Sequence, residues 1–192
     1  MPRYEVRPYT PADETAWLRC RALAFLTTPY YDDVLCAKPE LPAPGFALVA
    51  TDAEQCLLGV MDVSALPADG LATIDTVAVH PDHQGEGVGS ALLAEARNRT
   101  AALGLSTLDA WTRDHPASLN WYRASGFAES DHYLHVYADH YCDPAEPGRA
   151  VTAASPELRP IAAFLHAGIR EEKPLRERFG RVHVCRRFTL EL

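Results

Sequence analysis

The sequence predicts an α/β domain in which helices flank a mixed β-sheet. The first observation is a set of strand-like segments at 46–51, 56–66 and 71–79, separated by the turn-like sequences DAEQ and PADG, which favours an antiparallel meander. The second is the glycine-rich stretch HPDHQGEGVGSALL, which stands between a strand pattern and a helix pattern. The third is the size: 192 residues, 47% of them hydrophobic, are typical of one domain, spanning 1–192.

The amino-terminal elements follow from local signals. Residues 4–7 alternate as in a strand, and Thr10 then begins a helix with Pro11 at its first position and Asp13 placed as in a capping box. Residues 27–45 are rich in proline, aromatic and acidic side chains, which indicates a loop with at most a short helix.

The second half continues the alternation of helices and strands. From Leu92 to Leu103 apolar residues recur at helical spacing, and Gly104 stands where a helix C-cap belongs. The remaining predicted elements are a strand at 105–112, a helix at 115–127, a strand at 131–139, a helix at 161–170 and a last strand at 181–192. Residues 140–180 are predicted to be an insertion before the last strand, which either covers a substrate site or mediates a homodimer.

Charge and composition exclude several functional classes. The net charge is −8, and residues 159–192 carry eight bases against four acids, which leaves ten bases against 22 acids before them. This acidity disfavours nucleic-acid binding, which needs clustered Lys and Arg, and suits a cationic substrate. An acidic surface that only maintains solubility is the alternative, and the sequence does not decide between the two.

The same sequence predicts a cytoplasmic protein with no membrane partner and no metal. It has no apolar run of 18 residues, and its first residues lack the apolar segment of a signal peptide. The five cysteines form no C-x-x-C pair, and the eight histidines have no metal-ligand spacing, so we expect isolated thiols.

The glycine loop narrows the choice of ligand. It contains no lysine, so it is not a Walker loop, and Ser90 or Leu92 stands where G-x-G-x-x-G requires the third glycine. The remaining pattern is Q-x-x-G-x-G, formed by Gln84, Gly87 and Gly89 directly before a helix. Backbone N–H groups at a helix start bind anions, so the loop is predicted to hold a pyrophosphate.

Together, IDTVAVHPDHQGEGVGSALL and NWYRASGF resemble the GNAT superfamily of acetyl-CoA-dependent N-acetyltransferases, whose signature is [RQ]-x-x-G-x-[GA] after the fourth strand. The resemblance covers residues 3–139. It implies a mostly antiparallel sheet of six or seven strands, with the fourth and fifth strands splayed apart, and acetyl-CoA as cosubstrate. The residues it implies for cofactor binding are Val77, Ala78, Val79, Gln84, Gly85, Glu86, Gly87, Val88, Gly89, Ser90, His115 and Tyr122.

The resemblance also implies the catalytic residues. Tyr122, in Y-x-x-x-G-F, matches the family's acid for the departing thiolate; packing against the cofactor without proton transfer is the alternative. Asp75 matches the position of a carboxylate that deprotonates the incoming ammonium through water; a structural carboxylate is the alternative. The N–H of Val77 is the implied oxyanion donor.

Two further groups depend on weaker signals. His115 stands where relatives often have an asparagine, so it contacts the pantetheine arm, acts as a base or only caps the following helix. The segment at 27–45 forms one wall of the acceptor site in this family, and aromatic and acidic side chains suit a cation. The candidate acceptor residues are Tyr30, Tyr31, Asp32, Asp33 and Glu40, with a solvated loop as the alternative.

These observations predict an N-acetyltransferase that transfers the acetyl group to a primary amine by direct attack in a ternary complex. The acidic charge favours a small cationic amine as acceptor. A protein N-terminus or lysine as acceptor, and a regulatory module that binds acyl-CoA without turnover, remain as alternatives.

Overall fold

The computed structural model describes residues 4–139, 141–151 and 157–192. Its strands are β1 (Glu5–Pro8), β2 (Phe46–Thr51), β3 (Leu57–Leu66), β4 (Leu71–Val79), β5 (Thr107–Arg113), β6 (Ala128–Ala138), β7 (Ala163–Ala167) and β8 (Arg181–Glu191). Its α-helices are α1 (Glu14–Phe25), α2 (Val88–Ala102), α3 (Pro116–Ala124), α4 (Glu146–Ala150) and α5 (Glu172–Arg178). Within these residues, no helix is both long and apolar enough to cross a membrane.

The chain divides into two compact units. The first comprises the chain up to Trp111, His115–Ala128 and Phe188–Leu192; the second comprises Thr112–Asp114 and Glu129–Arg187. In the first unit the strands lie in the order β1-β2-β3-β4-β5, followed by the carboxyl end of β8. The first four strands pair antiparallel, and β4 pairs parallel with β5.

Alternation along the strands gives this sheet two apolar faces. On one face Val49, Val60 and Ala78 pack around Trp17 of α1, which is fully buried. On the other face the neighbouring residues of the same strands, such as Leu48 and Met61, join α2 in the larger core. The helices therefore flank the sheet, as predicted.

The fourth and fifth strands splay apart, which confirms the expectation from the family resemblance. Parallel pairing runs only from Leu71 with Thr107 to Ile74 with Ala110. Beyond this point β4 continues to Val79 while it still pairs with β3. The last five residues of β4 therefore line a cleft on the side where β5 has diverged.

In the second unit β8, β6 and β7 are neighbours in this order. The predicted helix at 161–170 is wrong, because Ala163–Ala167 is strand β7, paired antiparallel with β6. Alternate residues explain the difference: Leu165 packs on the core of this unit, whereas Phe164 and His166 are exposed. That period of two belongs to a strand, and β7 brings the described strands to eight, one more than expected.

Most other predicted elements are confirmed within one to four residues at their ends. Thr10 and Asp13 form the capping box, although the first turn is a 3₁₀ helix at Pro11–Asp13 and α1 begins only at Glu14. The predicted insertion at 140–180 contains α4, β7 and α5, while residues 140 and 152–156 of it lie outside the described residues. Its role stays a prediction.

Candidate active site

The glycine loop connects β4 to α2 through a 3₁₀ turn at Pro81–His83. Gly85 and Gly87 have φ of 80° and 87°, a left-handed conformation that side chains other than glycine rarely adopt. Gly87 is the N-cap of α2, and the first helical bond runs from Ala91 N to Gly87 O at 3.0 Å. The helix thus begins without a side-chain cap.

This helix start has the features that a pyrophosphate needs. The N–H groups of Val88, Gly89 and Ser90 precede the first helical bond, and the first turn has no acidic residue. A Cβ atom added at Gly85 would meet nothing within 4 Å, so a ligand can approach the backbone there. One added at Gly89 would lie 3.3 Å from Nε1 of Trp121, which keeps that position small. Glu86 lies within the loop, directly before the N-cap Gly87, and its Oε2 is 3.3 Å from Nδ1 of His83.

The backbone of Val77 and Val79 faces the cleft. His80 N donates to Leu58 O at 2.8 Å, which makes His80 and Leu58 a hydrogen-bonded pair. Because such pairs alternate along an antiparallel ladder, Ala78 points its backbone groups toward β3, and Val77 and Val79 point theirs away. The amide of Gln84 confirms this direction by donating to Val79 O at 3.2 Å.

Tyr122 lies in α3, in the core of the first unit. Its side chain is 4% exposed, its ring is stacked on Phe188 at 5.2 Å between centroids, and Trp121 and Phe127 contact it edge-on. Burial raises the pKa of the Tyr122 phenol above its usual range, and the nearby Tyr30 and Asp109 add to this rise. The phenol is therefore protonated at neutral pH.

Asp75 lies at a β-bulge. Asp62 pairs with Thr76 and Val63 pairs with Ile74, so Asp75 is the extra residue on β4. Its Oδ1 accepts a hydrogen bond from Ser64 Oγ at 3.2 Å, and the side chain is exposed. Desolvation by the surrounding protein raises the pKa of Asp75 despite the bond from Ser64, and the charge of Asp109 acts in the same direction.

Asp109 is a candidate site residue that the sequence analysis missed. It lies on β5 opposite Thr73, whose Oγ1 donates to its carboxylate at 2.6 Å, and it is 2% exposed. Its charge acts on both Asp75 and Tyr122. The signal was present in the sequence, because LSTLDAWT contains a lone aspartate in a strand pattern, as the segment around Asp75 does.

His115 is the N-cap residue of α3, but its side chain does not cap the backbone. Its Nδ1 lies 3.1 Å from Ser118 Oγ. The ring is thus held by a side chain one turn along the helix.

The candidate acceptor residues are spread over the segment between α1 and β2. Tyr30 is half-buried, its ring centroid lies 5.3 Å from that of Phe25, and it contributes to the raised pKa of Tyr122, so these two tyrosines lie near each other. Asp33 is bound by Arg21, which donates to its carboxylate at 2.8 Å and to its backbone oxygen at 2.6 Å. The other three, Tyr31, Asp32 and Glu40, are exposed.

Comparison with known proteins connects this geometry to a family. Residues 43–129 match the model of the acetyltransferase (GNAT) domain. The mycothiol acetyltransferase of Streptomyces avermitilis is 32% identical over 133 residues, which cover 64% of this chain and 42% of that protein. That of Stackebrandtia nassauensis is 39% identical over 77 residues, 40% of this chain and 24% of that protein. The chain thus spans less than half the length of these relatives.

Solved structures agree on the fold. An N-acetyltransferase from Staphylococcus aureus Mu50 superimposes with a TM-score of 0.61 at 13% identity, covering 98% of each chain. An N-acetyltransferase from Thermoplasma acidophilum in complex with coenzyme A gives a TM-score of 0.55 at 13% identity over 67% of this chain and 91% of that chain. With the splayed strands and the uncapped helix start, these matches support the resemblance: the chain has the GNAT fold, and its segment 43–129 matches the GNAT acetyltransferase domain.

Proposed function

We propose that this chain is an acetyl-CoA-dependent N-acetyltransferase whose acceptor is a primary amine on a small cationic molecule. The observation that carries the proposal is the uncapped start of α2, with Q-x-x-G-x-G before it, beside the cleft between β4 and β5. Acetyltransferase-named relatives support the reaction class.

The residues present fit acetyl-CoA. The N–H groups of Val88, Gly89 and Ser90 would hold its pyrophosphate, with the open backbone at Gly85 beside them. The cleft-facing backbone of Val77 and Val79 would hold the pantetheine arm. When bound, acetyl-CoA supplies the thioester whose acetyl group moves to the amine, as the C–N bond forms and the C–S bond breaks.

Asp75 and Tyr122 divide the proton transfers between them. The amine arrives as an ammonium ion, and the Asp75 carboxylate accepts its proton through a water molecule, which makes the nitrogen nucleophilic. Tyr122 is protonated at neutral pH, and in the proposed step its hydroxyl donates a proton to the leaving sulfur. The nitrogen carries an excess proton once the C–N bond has formed, and its loss, which gives the amide, returns a proton to the tyrosine. The N–H of Val77 points into the cleft and donates to the developing oxyanion.

The carboxylates near this site favour a cation. Asp62, Asp75 and Asp109 lie on three neighbouring strands, and Asp75 interacts electrostatically with each of the other two; Lys38 is the cation paired to Asp62. Tyr30, close to Tyr122, adds an aromatic face. An acceptor that keeps a second positive charge after its amine is deprotonated is therefore bound better than a neutral one.

The experiment that tests the function is the rate of CoA thiol release from acetyl-CoA across a panel of amines. The panel includes polyamines, aminoglycosides, amino acids and short peptides, and also the unacetylated form of mycothiol because of the relatives' names. We expect a dicationic amine to respond. A response confined to peptides would move the acceptor to a protein N-terminus or lysine, and a flat panel with tight acetyl-CoA binding would indicate a regulatory module.

A substitution at Asp109 tests whether the acceptor is recognised by a second positive charge. Asp109→Asn removes one negative charge, so we expect the KM of a dicationic amine to rise about tenfold with kcat little changed. The KM of a singly charged amine of the same length is expected to rise less. Equal effects on both amines would mean that Asp109 does not recognise the second charge.

A further inference from the structure

A buried ion pair close to Asp75 has no part in the proposed chemistry. Lys38 Nζ lies 3.2 Å from Asp62 Oδ2, with side chains 7% and 4% exposed. Trp17 Nε1 donates to Asp62 Oδ1 at 3.3 Å. The ammonium also lies over the rings of Tyr9 and Trp17, at 4.9 Å and 5.4 Å from their centroids. Desolvation makes such pairs poor sources of stability, so their presence calls for another explanation.

The position of this pair in the sheet supplies that explanation. Asp62 is the last β3 residue before the bulge, and the extra residue that the bulge creates on β4 is Asp75. Ser64, two residues along β3 on the same face as Asp62, donates to Asp75. Asp62 and Asp75 are therefore neighbours on one face of the sheet.

Lys38 comes from a different part of the chain. It belongs to the segment between α1 and β2, and its backbone N donates to Glu14 Oε1 of α1 at 3.0 Å. Its ammonium is thereby fixed beside Asp62, against the strand pair that carries Asp75. One ion pair thus joins the segment with the candidate acceptor residues to β3, the strand that pairs with the one carrying the proposed base.

The charged groups that act on Asp75 come from every neighbouring strand. Asp62 belongs to β3 and Asp109 to β5, while Lys38 is the cation among them. Burial raises the pKa of Asp62, Lys38 opposes this rise and Asp75 adds to it. Because charge coupling is reciprocal, Asp62 acts on Asp75 with the same sign.

We infer that the Lys38–Asp62 ion pair is a positioning element that sets the electrostatic potential at the carboxylate of Asp75. Its meaning for catalysis rests on the proposed function, in which Asp75 accepts the acceptor's proton. Lys38 and Asp62 do not touch the reacting atoms; Lys38 favours the ionised form of Asp75 and Asp62 opposes it.

The test follows the carboxyl carbon of Asp75 by NMR during a pH titration, with the signal assigned through Asp75→Asn. Asp62→Asn removes a negative neighbour, so the Asp75 midpoint is expected to fall by roughly half a pH unit or more. Adding Lys38→Met to Asp62→Asn removes the cation, so the midpoint is expected to rise again by a similar amount. Asp62→Asn alone leaves the Lys38 ammonium buried without its partner, which can destabilise the fold. The double variant removes both charges and therefore contains no unpaired buried ion.

Two opposite shifts would support the inference, and a midpoint unchanged across the three proteins would overturn it. The measurement needs no turnover, so it decides the inference even if no amine is acetylated. Kinetics then separate the two proposals: the acid limb of kcat/KM moves with the NMR midpoint if Asp75 is the base. If the NMR midpoint of Asp75 moves but the acid limb of kcat/KM does not, Asp75 is not the base, and the inference about the ion pair still holds.

Discussion

At the scale of one residue, Tyr122 is the proposed acid. Its ring is enclosed by aromatic neighbours, and burial raises the pKa of its hydroxyl, which carries its proton at neutral pH. Tyr122→Phe preserves the packing but removes the proton, so kcat is expected to fall about 10²- to 10⁴-fold. Steady-state kinetics and acetyl-CoA titration check this, since acetyl-CoA affinity is expected to remain.

The matched control is Tyr141→Phe, at a tyrosine 59% exposed in the second unit. We expect this variant to keep the parent rate. If Tyr122→Phe also kept it, with the fold intact by circular dichroism, Tyr122 would be a packing residue rather than an acid.

Asp75, the proposed base, is expected to give the reaction an acid limb. The pKa of Asp75 is raised above 3.8, so kcat/KM is expected to rise with pH through that raised value as the carboxylate forms. Asp75→Asn should remove this limb and lower kcat/KM about 10²- to 10⁴-fold. A pH–rate profile of both proteins tests it, and a limb that persists in the variant would exclude Asp75 as its source.

The same shift predicts a change in stability. A carboxyl with a higher pKa in the folded than in the unfolded protein binds its proton more tightly when folded, so unfolding free energy falls as pH rises from 3.8 through the folded value. We therefore expect ionised Asp75 to destabilise the fold at pH 7. Asp75→Asn has no carboxyl to ionise at this position. As pH rises from acid to neutral, the unfolding free energy of this variant, measured by urea unfolding, is therefore expected to increase relative to that of the wild type. A relative loss over that range would contradict the predicted sign.

The sequence predicts individual residues only where their type is unusual for their surroundings. Asp75 is such a case, since a carboxylate in an apolar strand needs a reason. Asp109 is equally unusual, but no motif marks it. Its significance depends on pairing with Thr73 and on proximity to Asp75, which only the fold determines.

At the scale of elements, close contact between β3 and α2 positions the glycine loop. A Cβ atom at Gly59 would lie 2.8 Å from Val88 Cγ1 and 3.1 Å from Leu92 Cδ1. Gly59→Ala is therefore expected to push the start of α2 away from the sheet, destabilise the protein by about 1–3 kcal/mol and weaken acetyl-CoA binding. Thermal unfolding and acetyl-CoA titration measure the two effects.

Gly148→Ala is the control for this prediction, because a Cβ atom there would meet nothing within 4 Å. We expect unchanged acetyl-CoA binding in that variant. Destabilised Gly59→Ala protein with normal acetyl-CoA affinity would mean that the helix start does not have to be held this close to β3.

Elements with strong local signals were predictable, and those defined by their partners were not. The capping box at Thr10 and the glycines before α2 act within a few residues. In contrast, IAAFLHAGI fits helical spacing, yet Ala163–Ala167 becomes a strand because β6 offers pairing and its alternate residues reach an apolar core. The splay of β4 from β5 came from the family resemblance, because it depends on where long-range pairing stops.

At the scale of the whole molecule, the charge acts oppositely on the two proposed substrates. The chain carries −8, and the glycine loop lacks Lys and Arg while containing Asp82 and Glu86. The protein's field therefore attracts a cationic acceptor and repels the phosphates of acetyl-CoA.

The attraction of the cationic acceptor and the repulsion of acetyl-CoA should both depend on salt concentration. Raising ionic strength from about 20 mM to about 200 mM shortens the Debye length severalfold. We expect kcat/KM for a dicationic amine to fall roughly three- to tenfold, and kcat/KM for acetyl-CoA to rise or stay level. Steady-state kinetics at several concentrations of an inert salt measure both. A fall of equal size for the two substrates would mean a general salt effect on the enzyme, and the acidic charge would then serve solubility rather than substrate attraction.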